Sequence, residues 1–183
     1  MEVIITISVD FLIILCYDSH TNFMEVMVIK TQTACFTGHR EIPANEYQPI
    51  RVRVRETLVE AIRNGYRFFG SGGALGFDTL AAQVVLELKK EYPEIRLILV
   101  LPCLTQAKYW KLEDIRKYEL IKKDADRIVY ISKEYSRECM FKRNRHLADN
   151  SSLCICYLAK ETGGTAYTVE YAKKKGLSVI NLV

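Results

Sequence analysis

Three short stretches of this 183-residue sequence gather residue types that bind anions. The first is Cys35-Phe36-Thr37-Gly38-His39-Arg40, which brings a hydroxyl, a glycine, an imidazole and a guanidinium together at the end of an apolar run. Gly38 lets the backbone approach a ligand, and Arg40 can pair with phosphate. The plainer reading is a glycine turn with an exposed Arg40 and a His39 satisfied by backbone. The second stretch, Gly70 to Asp78, carries four glycines within seven residues. Such a loop can turn backbone N–H groups towards one anion, and the positive end of the following helix adds to the attraction. Ser71, Gly72, Gly73, Ala74 and Gly76 are therefore candidates for phosphate or ribose contact. Asp78 is either a ligand contact or a cap of the helix it begins.

The third stretch, Thr162-Gly163-Gly164-Thr165-Ala166, is a cradle of the same physical kind, with Gly163, Gly164 and Thr165 as its candidates. Two cradles in one small domain imply a ligand with a phosphate plus a sugar or base. Glu170, within the second turn of the helix that follows, either reaches a ribose hydroxyl or is an ordinary exposed glutamate. A fourth element, Met140-Phe141-Lys142-Arg143-Asn144, sends Arg143 and Asn144 towards the same edge, unless they are plain surface polarity.

These stretches need strands and helices to bring them together. From Lys30 onward the sequence alternates apolar strand, polar or glycine turn, and amphipathic helix. Strands are expected at Thr33–Thr37, Tyr66–Gly70, Arg96–Leu101, Arg127–Ile131, Leu153–Tyr157 and Ser178–Leu182. Helices are expected at Tyr47–Asn64, Phe77–Lys90, Trp110–Lys123, Cys139–Asp149 and Thr165–Lys175. In the first helix, Val52, Leu58, Val59 and Ile62 are read as the buried face. The alternation predicts an α/β, Rossmann-like parallel sheet with helices on both faces, as one domain over 30–183. Ligands bind such sheets beyond the carboxyl ends of the strands, and all three glycine loops follow strands.

Composition adds limits. A net charge of +4 favours anions only mildly and does not argue for nucleic acid. The basic groups at Arg51 to Arg55 and Lys173 to Lys175 read as solvated helix faces. The six cysteines form no C-x-x-C pair and lie largely in apolar runs, as free thiols in a reducing, cytoplasmic setting would. His20, His39 and His146 have no metal-ligand spacing, and neither metal nor cofactor is expected. Residues 1–29 are an N-terminal extension. Its apolar part, Val3 to Cys16, is interrupted by Asp10 and is too short to span a bilayer, so no membrane partner is expected. It is either an extra strand or hairpin on the domain or sequence ahead of a start at Met24 or Met27. There is no G-x-x-x-x-G-K-[ST]. The G-x-G-x-x-G spacing is missed by one residue, and Leu99-Val100-Leu101 ends a strand without a ribose-binding acid. These absences argue against P-loop nucleotidases and standard dinucleotide dehydrogenases.

In their joint order, Cys35 to Arg40, Ser71 to Asp78, Met140 to Asn144 and Gly163 to Ala166 resemble the SLOG superfamily, in its YpsA/YoqJ-like branch of small bacterial and phage proteins. The resemblance covers about Thr31 to Val183. It implies a Rossmann-like fold, a nucleotide-derived ligand such as an ADP-ribose-like molecule, and a homodimer. The superfamily includes the LOG phosphoribohydrolases, marked by M-x-x-R-K and P-G-G-x-G-T-x-x-E. Here Asn144 replaces the Lys, Thr162 replaces the Pro, and Ala166-Tyr167 replaces Gly-Thr. If LOG chemistry carried over, Glu170 would bind the ribose hydroxyls and steady developing positive charge. Arg143 would orient the nucleotide or assist the leaving group. The superfamily also includes DprA, which binds single-stranded DNA. Only Tyr109-Trp110-Lys111 offers an aromatic and basic surface for stacked bases, with Trp110 read first as a packing residue, so nucleic acid is not expected as a partner. The leading expectation is a sensor or adaptor that binds a nucleotide or nucleotide-derived ligand. The alternatives are a LOG-like phosphoribohydrolase and a protein-interaction module with a vestigial pocket.

Overall fold

The strand Leu97-Ile98-Leu99-Val100-Leu101 explains why the apolar runs are unbroken. Leu97, Leu99 and Leu101 enter one hydrophobic cluster, while Ile98 and Val100 enter another on the opposite face. A strand covered on both faces has no solvent side, so it cannot alternate apolar with polar. The same division holds for Leu153, Ile155 and Tyr157 against Cys154 and Cys156, and for Ala34 and Phe36 against Cys35.

The structure is a computed structural model that describes residues 23–183. Expectations for Val3 to Cys16 lie outside those residues. The chain enters with a helix not expected from the sequence, α1 (Phe23–Thr31), followed by β1 (Thr33–Gly38). Then come α2 (Ala44–Arg63), β2 (Phe68–Ser71), α3 (Phe77–Leu88), β3 (Arg96–Leu101), α4 (Leu112–Asp124) and β4 (Arg127–Tyr130). The last four elements are α5 (Arg137–Asp149), β5 (Leu153–Tyr157), α6 (Gly163–Lys174) and β6 (Ser178–Asn181). Among the described residues the strands form one sheet in the order β4-β3-β2-β1-β5-β6, with every neighbouring pair parallel. This is the expected α/β Rossmann-like architecture.

Helices α2, α3 and α4 cover one face and α5 and α6 the other. Helix α3 is the most deeply set, with Phe77, Leu80, Ala81, Val84, Val85 and Leu88 all buried at helical spacing. In α2 the buried face runs through Ile50, Val54, Leu58, Ala61 and Ile62. Val52 lies off that stripe, 54% exposed, which corrects the face read from the sequence. Cys35, Cys103, Cys139, Cys154 and Cys156 are buried and free. A hydrogen bond with Cys35, together with burial, holds the Cys154 thiol well above its ordinary pKa, so it stays protonated and unreactive. No helix among the described residues is long and apolar enough to cross a membrane.

The chain winds outward from β1 to β4, then returns to pair β5 with β1 on its other side. That reversal splits the loops beyond β1 and β5 apart and leaves a crevice between them. Gly38 pairs in register with Tyr157 at its edge.

Candidate functional site

A cavity of about 410 Å³ fills this crevice. The end of β1 and the loop after it line it with Thr37, Gly38, His39 and Arg40, the β2–α3 loop contributes Ala74, and the first turn of α3 contributes Asp78. From the far face, α5 adds Arg137, Met140, Phe141, Arg143 and Asn144. The start of α6 closes the rim with Thr162, Gly163, Gly164 and Thr165. Three guanidinium groups thus face one cavity, and Asp78 is the single carboxylate in its lining.

The first loop is held by its neighbours. The Phe77 N–H donates to the His39 carbonyl at 3.1 Å, and the His39 N–H donates to the Tyr157 carbonyl at 3.3 Å. His39 Nε2 accepts from the Lys160 N–H at 3.1 Å, so the imidazole that tethers the β5–α6 loop is neutral. Burial, and then the charge of Lys160, lower its pKa below 6.5. Gly38 lies flat against the Phe77 side chain.

The floor is a buried ion pair. Arg143 Nη1 stands 3.6 Å from Asp78 Oδ2, and the two side chains are 6% and 7% exposed. Asp78 also accepts from the Ala74 N–H at 3.4 Å. It therefore ties the β2–α3 loop rather than capping the end of its own helix, whose N-cap Gly76 receives no side-chain bond. Burial pushes the Asp78 carboxyl up, against the pull of Arg143 and the loop amides. The Arg143 Nε and Nη1 atoms have no hydrogen-bond partner. A buried guanidinium with unused donors is ready to bind an anion, since arginine stays charged at any working pH.

The remaining candidates of the β2–α3 loop stand behind the cavity rather than in its lining. Ser71 Oγ accepts from the Gly73 N–H at 3.2 Å and donates to the Asp78 carbonyl at 3.2 Å. Gln106 Nε2 donates to the Gly72 and Gly73 carbonyls at 3.3 and 2.8 Å. A Cβ on Gly72 would fall on the Arg143 guanidinium, and one on Gly76 would fall on the Arg40 carbonyl. These glycines serve close packing.

The start of α6 is built differently. Its N-cap Thr162 makes no side-chain cap bond. Gly163 has a φ of +89°, and neither Gly163 nor Gly164 has an atom within 4 Å of where a Cβ would lie. The start of α6 thus lines the cavity without a side-chain cap, at the end of a helix that attracts anions. Asn144 Nδ2 donates to Thr168 Oγ1, which donates to the Gly164 carbonyl, each at 2.8 Å. This chain fixes α6 against α5.

Glu170 is the candidate that the fold sends elsewhere. Its side chain is 62% exposed, pairs with Lys173 at 3.5 Å and does not line the cavity. Thr168 points inward, and two further residues of helix rotate the side chain by roughly 200°, away from the cavity. Arg137 was missed in the sequence because α5 begins two residues before Cys139. The signal was Ser136, whose hydroxyl accepts from the Cys139 N–H at 3.1 Å as an N-cap.

The YspA SLOG family model, YpsA, matches residues 35–179. A UPF0398 protein of Bacillus thuringiensis (strain Al Hakam) is 34% identical over 130 residues, covering 69% of this chain and 71% of the relative. Two solved DNA processing protein A structures share the fold. That from Helicobacter pylori, which binds single-stranded DNA, has a TM-score of 0.60 at 21% identity and covers 84% of this chain. That from Streptococcus pneumoniae has a TM-score of 0.61 at 19% identity and covers 83% of this chain. This chain spans 66% and 50% of their respective lengths. The expectation that nucleic acid is not a partner finds no support in such neighbours. With four-fifths of the chain matched by one family model and a relative aligned across most of its length, this chain belongs to the YspA SLOG family.

Proposed function

We propose that the switch-point crevice binds a phosphorylated nucleoside and that the domain acts as a sensor or adaptor for it. The observation that carries this reading is the convergence of Arg40, Arg137 and Arg143 with the uncapped start of α6 on one cavity. Guanidinium groups and helix-end amides both recognise phosphate oxygens. Phe36, Met140 and Phe141 add an apolar wall suited to a sugar or base.

A binding role is favoured over base release. N-glycosidic cleavage needs a carboxylate beside the developing positive charge at the sugar. Glu170 faces solvent, and Asp78 is engaged by Arg143 and the Ala74 amide.

The test is thermal stability of the protein with nucleoside monophosphates, ADP-ribose, NAD, cyclic nucleotides and a short single-stranded oligonucleotide. A ligand at a hundred times its dissociation constant stabilises the fold by about 2.7 kcal/mol, a clear melting shift. A shift with phosphorylated nucleosides and none with the unphosphorylated nucleosides supports the reading. Release of free base from the stabilising compound would move the assignment to a hydrolase. A flat panel would leave the crevice without a ligand and favour a protein-interaction role.

A further inference from the structure

We propose that the cavity beside the crevice is a second subsite, which takes the amino-bearing aromatic ring of the second half of a dinucleotide. This rests on the nucleotide reading of the crevice. The second cavity measures about 580 Å³ and lies between the β3–α4 loop and the start of α5. Three aromatic side chains, Tyr109, Trp110 and Tyr135, line it. Trp110 is fixed edge-on to Tyr118 with ring centres 5.2 Å apart, and it packs on the core. Tyr109 and Tyr135 are 88% and 66% exposed. Scattered exposed rings are ordinary, but two on the wall of one cavity beside an anchored tryptophan offer a stacking surface for a flat ring.

The two cavities adjoin, because Arg40 and Met140 line both. Arg40 therefore stands where a phosphate bridge between two nucleosides would pass. Lys108, 5.3 Å from the centre of the Tyr109 ring, adds a second cation on that side.

Gln106 selects the chemistry of the ring. Both hydrogens of its Nε2 are used by the Gly72 and Gly73 carbonyls, which fixes the orientation of the amide. Its Oε1 is buried without a hydrogen-bond partner, and Gln106 is one of the residues that line the same cavity. A buried acceptor left unpaired favours a ligand that brings a donor. An amino group on an adenine-type ring is such a donor, whereas a hypoxanthine-type ring places a keto acceptor at that position and keeps only its ring N1–H as a donor beside it.

The experiment is calorimetric titration of AMP, diadenosine diphosphate and diinosine diphosphate into the wild-type protein and into a Tyr109→Ala/Tyr135→Ala double variant. Both substituted rings are exposed, so the variant keeps its fold. Diadenosine diphosphate is expected to bind wild type roughly tenfold tighter than AMP, the scale of one stacked base. The diinosine compound loses most of that advantage. The double variant loses all of it while its affinity for AMP is unchanged. Equal affinity of AMP and diadenosine diphosphate for wild type, or an advantage that survives in the variant, overturns the second subsite and leaves the crevice reading intact. Failure of AMP to bind overturns both. A short oligodeoxyadenylate that binds tighter than diadenosine diphosphate, and loses that margin in the variant, assigns the surface to a single strand and overturns the dinucleotide.

Discussion

The β2–α3 and β5–α6 loops are both glycine-rich, both follow a strand and both open a helix, yet their backbone donors have different fates. In the first, the amides of Gly73 and Ala74 are taken by Ser71 Oγ and Asp78 Oδ2, and the Gly72 and Gly73 carbonyls by Gln106. Asp78 itself occupies the place that an anion would fill. In the second, Thr162 leaves α6 uncapped, and Gly163 and Gly164 face open space. A run of glycines thus has two physical uses. One lets side chains such as Arg143 lie directly on the backbone, and the other leaves the backbone bare for a ligand.

The largest effect should come from breaking the internal anion of the first loop. Asp78→Ala leaves the Arg143 charge buried without its carboxylate, so unfolding in urea should show a loss of about 3–5 kcal/mol. A loss below about 1 kcal/mol would mean that Asp78 is not what holds that loop.

A smaller difference should separate the glycines. Gly72→Ala forces a methyl group onto the Arg143 guanidinium, an overpacking that should cost about 1–3 kcal/mol. Gly164→Ala enters empty space and should stay within about 0.5 kcal/mol of wild type. Equal costs in denaturation would erase the distinction between the loops.

The smallest effect concerns the tether of the β5–α6 loop. His39 has its pKa lowered in the fold, so below the ordinary value of about 6.5 the unfolded chain binds the proton more readily. The His39–Lys160 contact is therefore fully present above that pH and weakens as pH falls through it towards the lowered value. Hydrogen exchange at the Lys160 amide, corrected for intrinsic rates, should lose protection on going from about pH 8 to about pH 5. Protection that stays flat would show that the tether does not depend on a neutral imidazole.

Much of this comparison could be read in advance, and some could not. The strands Arg96–Leu101 and Leu153–Tyr157 fall where the apolar runs place them, because burial on both faces leaves no other pattern. The gathering of the first and third loops at one edge followed from α/β alternation alone. The division of labour between the glycine loops did not, since it depends on Arg143 and Gln106 arriving from distant segments. The outward turn of Glu170 follows from where α6 begins and which of its faces meets α5, and a spacing motif carries neither fact. Helix α1 was missed because its residues show no separation of polar from apolar faces.

The central claim is that the ligand's phosphate sits at the start of α6 and not in the β2–α3 loop. It is tested most directly by titrating AMP into wild type and Gly164→Asp and comparing dissociation constants. The new carboxylate would enter open space at the helix end, where it caps the amides and repels a phosphate. The account predicts an unchanged fold and an affinity at least roughly tenfold weaker, equivalent to about 1.4 kcal/mol. Undiminished AMP binding in Gly164→Asp would contradict it.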